Sequence, residues 1–303
     1  MTPRVPPAVP SGGRIAVVAP GSSLRDPGAV RAGMERLAGW GYEPVPGRFL
    51  FARAGDLAGS DRDRLADLTW ALRDPSIDAV WAARGGWGTA RLLPGLDLRA
   101  LARRPRWLIG FSDLTALQLA LLRHGVASWY APVVADLADR RRYSAADLRA
   151  MLAAPGAVRT LRGRGLAGPA RRAVGPLAGG CLSLLAAAAG TPWQPDLRGA
   201  VVFLEEVGEA PYRVDRLLWQ LRAAGILDGI AGLALGQFTA CDPLPGRASR
   251  TLAAVLREHV QALGVPAIAG LAIGHGPRAR AVPIGYRATL DPRAGTLALR
   301  PPR

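Results

Sequence analysis

The chain has 303 residues, half of them apolar, with 39 basic against 23 acidic residues and a net charge of +16. That length sits near the point where one hydrophobic core divides into two, so two domains are expected. The charge would suggest nucleic acid or an anionic membrane as partner, but there is no Lys and no Asn, and the arginines are spread along the chain instead of forming one stripe with interleaved aromatics; it reads as the bias of a GC-rich coding sequence, and nucleic-acid binding is not expected.

In chain order, the Pro-rich start from Met1 to Gly13 lacks the apolar segment of a secretion signal, so a cytoplasmic location is expected. Arg14-Ile-Ala-Val-Val-Ala-Pro20 reads as a strand, and a helix follows around Gly28 to Gly39. Asp78 to Ala83 and Arg106 to Gly110 are short, apolar and bounded by turn residues, as strands buried on both faces of a parallel sheet must be. This is the rhythm of a doubly wound α/β domain over residues 1–135. From 136 to 172 the composition shifts to Arg, Ala, Gly and Pro with little strand character, apart from a possible helix over Ser144 to Ala153, and predicts an interdomain connection.

A second domain is expected over 173–303. Ala200 to Val207 has the content of a strand, with Glu205 near its carboxyl end. Val214, Leu217, Leu218 and Leu221 repeat at helical spacing behind Pro211, and Gly225 suits the C-terminal cap. A strand over Ile230 to Phe238, a helix over Thr251 to Leu263, a strand over Ala267 to Ile273 and two strands around the Asp291 to Gly295 turn complete the expected elements of this domain. No stretch reaches the roughly 20 apolar residues of a membrane span. Cys181 and Cys241 are too few for a zinc ribbon or disulfide scaffold, and with no H-E-x-x-H pair neither metal nor other cofactor is expected.

The segment Trp107-Leu-Ile-Gly-Phe-Ser-Asp-Leu-Thr-Ala-Leu117 runs from a buried strand straight into a helix, the setting of a nucleophile elbow with Ser112 at the turn. Leu114 stands where the G-x-S-x-G pattern has Gly, and a plain helix N-cap is the competing reading. A serine nucleophile needs a base. Of the three histidines, His124 sits at a helix end and His259 reads as a surface residue of its helix, whereas His275 lies between two glycines just after a strand, free to approach another group. The orienting carboxylate could be Glu205, Glu206 or Glu209; spacing cannot decide among them, although Glu205 and Glu206, at the mouth of an otherwise apolar strand, are harder to explain structurally than Glu209 beside a helix start, and a solvated strand end remains open. Arg84-Gly-Gly-Trp-Gly88 could present backbone N–H groups to an oxyanion, and Ala19-Pro-Gly-Ser-Ser23 could equally suggest a phosphate loop, although neither has the P-loop pattern.

Six segments then line up in order with one family: Gly13 to Ser22, Arg84 to Gly88, Gly110 to Ala116, Gly179 to Leu184, Leu204 to Arg213, and Gly274-His-Gly276 with Pro283-Ile-Gly285. Over nearly its whole length the sequence resembles the LD-carboxypeptidase family of serine peptidases, which includes the microcin C self-immunity proteins. The resemblance implies Ser112 as nucleophile, Glu205 as the acid of the triad, His275 as base, and the backbone N–H groups of Gly86 and Asp113 as the oxyanion hole. It also implies a flavodoxin-like (class I glutamine amidotransferase-like) N-terminal domain, a smaller β-rich swivelling C-terminal domain with the site between the two, and a homodimer. The implied reaction removes terminal D-Ala from murein tetrapeptide in peptidoglycan recycling. Arg84, Trp87 and Arg213 are candidate substrate contacts, since Arg can grip a carboxylate bidentately, although Arg84 and Arg213 could instead pair with an acid such as Asp113 or Asp215. The alternatives are an immunity-type peptidase cleaving a peptidyl or aminoacyl nucleotide and, from another class, a basic non-catalytic nucleic-acid or anion-binding module. Two departures from the family pattern, Cys181 in place of Asn and Tyr130-Ala131-Pro132 in place of a His-Gly-Pro segment, are expected to bear on substrate without touching the triad.

Overall fold

A computed structural model describes residues 2–246 and 248–302. The chain forms two compact units, the first running to Gly156 and including Pro277–Pro283, the second comprising Ala157–Gly276 and everything from Ile284 onward. Among the described residues no helix is long and apolar enough to cross a membrane.

The first unit alternates strand and helix: β1 (Arg14–Val18), α1 (Pro27–Gly39), β2 (Glu43–Pro46), α2 (Asp61–Arg73), β3 (Ala79–Ala82), α3 (Leu98–Arg103), β4 (Trp107–Gly110), α4 (Thr115–Arg123), β5 (Ser128–Tyr130) and α5 (Ala145–Ala153). The strands stand in the order β2-β1-β3-β4-β5, all parallel, with Val282–Ile284 as a sixth strand beside β5. The central strands β3 and β4 are buried at every residue, which is why they read in the sequence as unbroken apolar runs. The helices begin where the chain supplies caps: Asp26 accepts from the Ala29 N–H, and Ser60 and Asp63 form a reciprocal capping box at α2. The loops after β1, β3 and β4 leave the same carboxyl edge of this sheet, where a parallel α/β sheet carries its chemistry.

The second unit holds β6 (Arg159–Arg162), β7 (Arg164–Gly165), β8 (Ala173–Cys181), α6 (Leu182–Ala187), β9 (Val201–Val207), α7 (Pro211–Ala223), β10 (Gly232–Thr239), α8 (Leu252–Leu263) and β11 (Ala267–Ala269). The chain then passes through the strand already placed beside β5, here β12 (Val282–Ile284), and returns as the hairpin β13 (Arg287–Asp291) and β14 (Thr296–Arg300). Its eight-stranded sheet runs β6-β14-β13-β8-β9-β10-β11-β7, parallel across β8 to β11 and antiparallel outside them. Two features differ from the sequence reading. The stretch 136–172 holds, besides the expected helix α5, two edge strands; β6 alternates buried and exposed residues and takes its backbone partners from β14, a long-range pairing that its Arg-rich composition hides. The strand expected over Ala267 to Ile273 stops at Ala269, because Gly270 takes φ +77° and ends the ladder.

Candidate active site

Ser112 follows β4 at φ +62°, one of three non-glycine residues at positive φ among those described. Such a conformation costs about 1–3 kcal/mol and persists only where the surroundings enforce it. They do so from three sides. The Ser112 N–H donates to the Tyr130 hydroxyl at 3.2 Å, the Thr115 hydroxyl donates to the Ser112 carbonyl at 2.6 Å, and a Cβ on Gly85 would fall 3.0 Å from the Ser112 Cβ. Gln118 of α4 fastens the strand behind it, donating to the Gly110 and Trp129 carbonyls at 3.0 and 2.8 Å. The Ser112 side chain caps neither the turn it begins nor α4, so the N-cap reading lapses. Leu114 is tolerated in the elbow because Gly110 leaves room: a Cβ there would lie 3.1 Å from the Leu114 Cγ.

The glycine loop after β3 packs against this turn. Gly86 takes φ +106° and a Cβ on it would lie 2.3 Å from the Ser22 Oγ, while the Trp87 N–H donates to that oxygen at 3.0 Å. Ser22 thus belongs to the loop's scaffold. Asp113 is fully buried, and its Oδ2 accepts from the Thr89 N–H and hydroxyl at 2.9 and 2.7 Å. Burial pushes its carboxyl up, opposed by the Thr89 hydrogen bonds and the Arg64 charge. Arg84 does not pair with Asp113; its guanidinium donates to the Ser23 carbonyl, and burial, then Arg25, hold its pKa below the usual value. Trp87 stands 46% exposed beside Gly86.

In the second unit Glu205 and His275 meet. The His275 Nδ1 lies 2.7 Å from the Glu205 Oε2, and the His275 backbone N–H donates to the same oxygen at 3.2 Å. The approach requires glycine on both sides of the carboxylate. A Cβ on Gly274, at φ +121°, would fall 2.3 Å from the Glu205 Oε2, and one on Gly236 would fall 3.1 Å from the Glu205 Cβ. The Gly276 N–H donates to the Gln237 Oε1 at 3.0 Å, which holds the far side of the loop. A fully buried carboxylate accepting at Nδ1 selects the tautomer whose Nε2 is a proton acceptor.

Glu205 and Glu206 are both buried, so the solvated strand end does not apply, and their environments separate them. The Glu206 carboxyl accepts from the backbone N–H groups of Ser183 and Val207 at 2.7 and 2.8 Å and faces the Cys181 thiol at 3.6 Å; burial pushes its pKa up. Glu209 is turned to Arg213 at 3.4 Å. Arg213 therefore pairs with neither Asp113 nor Asp215. His259 is not a surface histidine: it is buried, with Nε2 2.7 Å from Asp215 and Nδ1 3.3 Å from Arg222, linking α8 to α7. His124 closes α4 as its position predicts. Among the described residues no cluster of His, Cys, Asp and Glu could hold a metal ion.

The LD-carboxypeptidase N-terminal domain profile matches residues 15–131 and the LD-carboxypeptidase C-terminal domain profile residues 174–290. The chain belongs to the LD-carboxypeptidase family. It is 37% identical to the murein tetrapeptide carboxypeptidase of Pseudomonas aeruginosa over 93% of this chain and 94% of that one, and 34% identical to the probable murein peptide carboxypeptidase of Bacillus subtilis over 94% and 91%. The crystal structure of the muramoyltetrapeptide carboxypeptidase from Oxalobacter formigenes superposes with a TM-score of 0.84 at 32% identity, covering 94% of this chain and 97% of that one. A microcin C7 self-immunity protein in complex with aspartyl sulfamoyl adenosine shares the fold, with a TM-score of 0.89 at 20% identity over 98% of each chain.

Both departures from the LD-carboxypeptidase pattern lie nearer the site residues than the sequence suggested. Tyr130 receives the Ser112 N–H, and Cys181 stands opposite Glu205 in the β8–β9 register. Burial, then the charges of Glu205 and Glu206, push the Cys181 thiol well above its ordinary pKa, so it remains protonated. Tyr130 and Gln118 carried no sequence signal for this role, because their partners are backbone groups that only the fold brings within reach.

Proposed function

We propose that the protein is a serine-type LD-carboxypeptidase that hydrolyses the L,D peptide bond before the terminal D-Ala of murein tetrapeptide. Ser112 is the nucleophile, His275 the base and Glu205 its orienting acid. The observation that carries this reading is the 2.7 Å contact of a fully buried Glu205 with the His275 Nδ1, which leaves Nε2 to act on a hydroxyl; Ser112 on its strained turn is the hydroxyl of matching chemistry. His275 Nε2 takes the Ser112 proton as Oγ attacks the scissile carbonyl. The Gly86 and Asp113 N–H groups hold the oxyanion, each worth about 3 kcal/mol of transition-state stabilisation. The imidazolium then protonates the departing D-Ala amine, the acyl-enzyme forms, and water activated by the same nitrogen releases the shortened peptide.

The fold fits the same reading. The β2-β1-β3-β4-β5 parallel order is that of flavodoxin-like domains, and Ser112 follows one of its central strands. Arg84, Trp87 and Arg213 are proposed substrate contacts; Arg84 is the best placed of the three, beside Gly85 and Gly86 with no acid paired to its guanidinium in the hydrogen bonds it makes. A cytoplasmic location and a homodimer belong to this proposal, and sedimentation equilibrium tests the second. Incubation of wild type and Ser112→Ala with murein tetrapeptide tests the reaction: release of D-Ala by wild type alone is expected. Hydrolysis of an aminoacyl sulfamoyl adenosine with the tetrapeptide left intact would overturn the substrate assignment in favour of an aminoacyl nucleotide.

A further inference from the structure

Three loops leave the carboxyl edge of the first unit's sheet: Pro20–Ser23 after β1, Gly85–Thr89 after β3, and the Ser112 turn after β4. Two buried polar side chains tie them together. Arg64, in the first turns of α2, has its side chain wholly out of solvent, and its Nη1 donates to the Pro20 carbonyl and, at 2.9 Å, to the Gly88 carbonyl. Its Nη2 meets Asp61 at the rim. Asp113 is equally buried, and its carboxyl reaches across to Thr89 through both the N–H and the hydroxyl of that residue. The fit is close enough to demand glycine at the contacts: a Cβ on Gly21 would fall 2.4 Å from the Asp113 Oδ2, and one on Gly88, at φ +122°, would fall 2.8 Å from the Arg64 Nη1.

Burying a guanidinium and a carboxyl at a sheet edge is unfavourable unless hydrogen bonds offset the lost hydration, and here those bonds run to the loop after β3. What they hold is a run of glycines. Gly85, Gly86 and Gly88 give the loop wide torsional freedom, and its tip at Gly86 and Trp87 is exposed. The stem is therefore where the loop's position is set.

We infer that the side chains of Asp113, Thr89 and Arg64 form a buried brace that fixes the spacing of the two oxyanion donors, each side chain acting by positioning the loop. The inference rests on the reading above, in which the donors are the N–H groups of Gly86 and Asp113. Asp113 then serves the site twice, supplying one donor from its backbone and anchoring the loop of the other through its carboxyl. Donors displaced by a fraction of an ångström lose much of their hold on an oxyanion while a bound ground-state peptide scarcely registers the change. Loss of the brace should thus appear in kcat and not in KM.

The test compares Thr89→Val, which removes one hydrogen bond to Asp113 at constant shape, with Arg64→Met and with Thr89→Ser, which restores the hydroxyl. The readouts are tetrapeptide kinetics and the rate at which a fluorophosphonate labels Ser112, a reaction that develops the same oxygen charge whatever the natural substrate. We expect kcat and the labelling rate to fall together, about 10-fold for Thr89→Val and about 100-fold for Arg64→Met, with KM within about 2-fold and Thr89→Ser close to wild type. If Arg64→Met fails to fold, Thr89→Val, checked for an unchanged melting temperature, decides alone. Labelling and kcat at wild-type levels in Thr89→Val would overturn the brace, as would a rise in KM matching the fall in kcat/KM. A wild type that resists labelling altogether would instead remove the serine-nucleophile reading, and the brace with it; a wild type that labels but spares the tetrapeptide would remove only the substrate, leaving labelling rates to judge the brace.

Discussion

Ser112 is fixed by its own backbone, at φ +62° with Tyr130 on its N–H and Gly85 against its Cβ, whereas His275 is fixed by a neighbour's side chain, the carboxylate of Glu205 that accepts from both its ring and its N–H. The Ser112 turn stores strain in the main chain, and the His275 loop leans on a carboxyl in the core. The two should fail differently. The Ser112 backbone should survive isosteric side-chain changes around it, while the His275 imidazole should lose its tautomer and its orientation once residue 205 no longer accepts at Nδ1.

The largest effect expected is that of Ser112→Ala, which removes the hydroxyl and leaves the turn; kcat on tetrapeptide should fall on the order of 10⁶-fold. Near-native activity would show that the elbow is only structural. Glu205→Gln comes next, with a fall of about 10⁴-fold, because an amide can offer its N–H side to Nδ1 and stabilise the wrong tautomer. A loss under about 10-fold, measured in the same assay, would mean that the 2.7 Å contact orients nothing in the reaction.

Gly274→Ala sharpens the contrast from the backbone side. Its Cβ would lie 2.3 Å from the Glu205 Oε2, at a φ of +121° that an L side chain rarely adopts. The His275 loop must therefore move away from the carboxylate, and a loss of kcat of about 100-fold is expected, the scale of a displacement of roughly 1 Å at a reacting group. A variant of wild-type kcat would show that the loop relaxes without cost to the imidazole.

How much of this was legible beforehand follows the same division. The apolar strands β1, β3, β4 and β9, the Pro211 helix start and the Ser112 turn are local patterns, and the sequence displays them directly. His275 stood out because two glycines flank it and only three histidines exist. What stayed hidden is non-local. The edge strand β6 is Arg-rich and pairs with β14, more than 130 positions away in sequence; the Glu205/Glu206 choice turns on which carboxylate meets the His275 ring and which holds the Ser183 and Val207 N–H groups instead. His259 read as exposed because its partner Asp215 lies on another helix. A propensity reports on neighbours along the chain, and these residues are defined by neighbours across it.

The smallest effect belongs to Glu206, which differs from Glu205 by one position and by what its oxygens touch. Glu206→Gln should leave kcat within about 3-fold, since its carboxyl holds the Ser183 and Val207 N–H groups and not the imidazole. One of those donors would then face an amide NH₂, at a cost of about 1–3 kcal/mol in stability. The pH dependence carries the sharper signature. Burial raises the Glu206 carboxyl above the ordinary 4.5, so between that value and its folded value the native chain keeps a proton that the unfolded chain has lost. Native protein binding more protons means that stability falls as pH rises through this window. Glutamine does not titrate, so urea midpoints measured from about pH 4 to pH 7 should decline less steeply in the variant than in wild type. Asp113 and Asp67, which burial also raises, would keep a residual slope in both. Identical slopes would place the Glu206 pKa back in the ordinary range and remove the distinction drawn between the two neighbouring carboxylates.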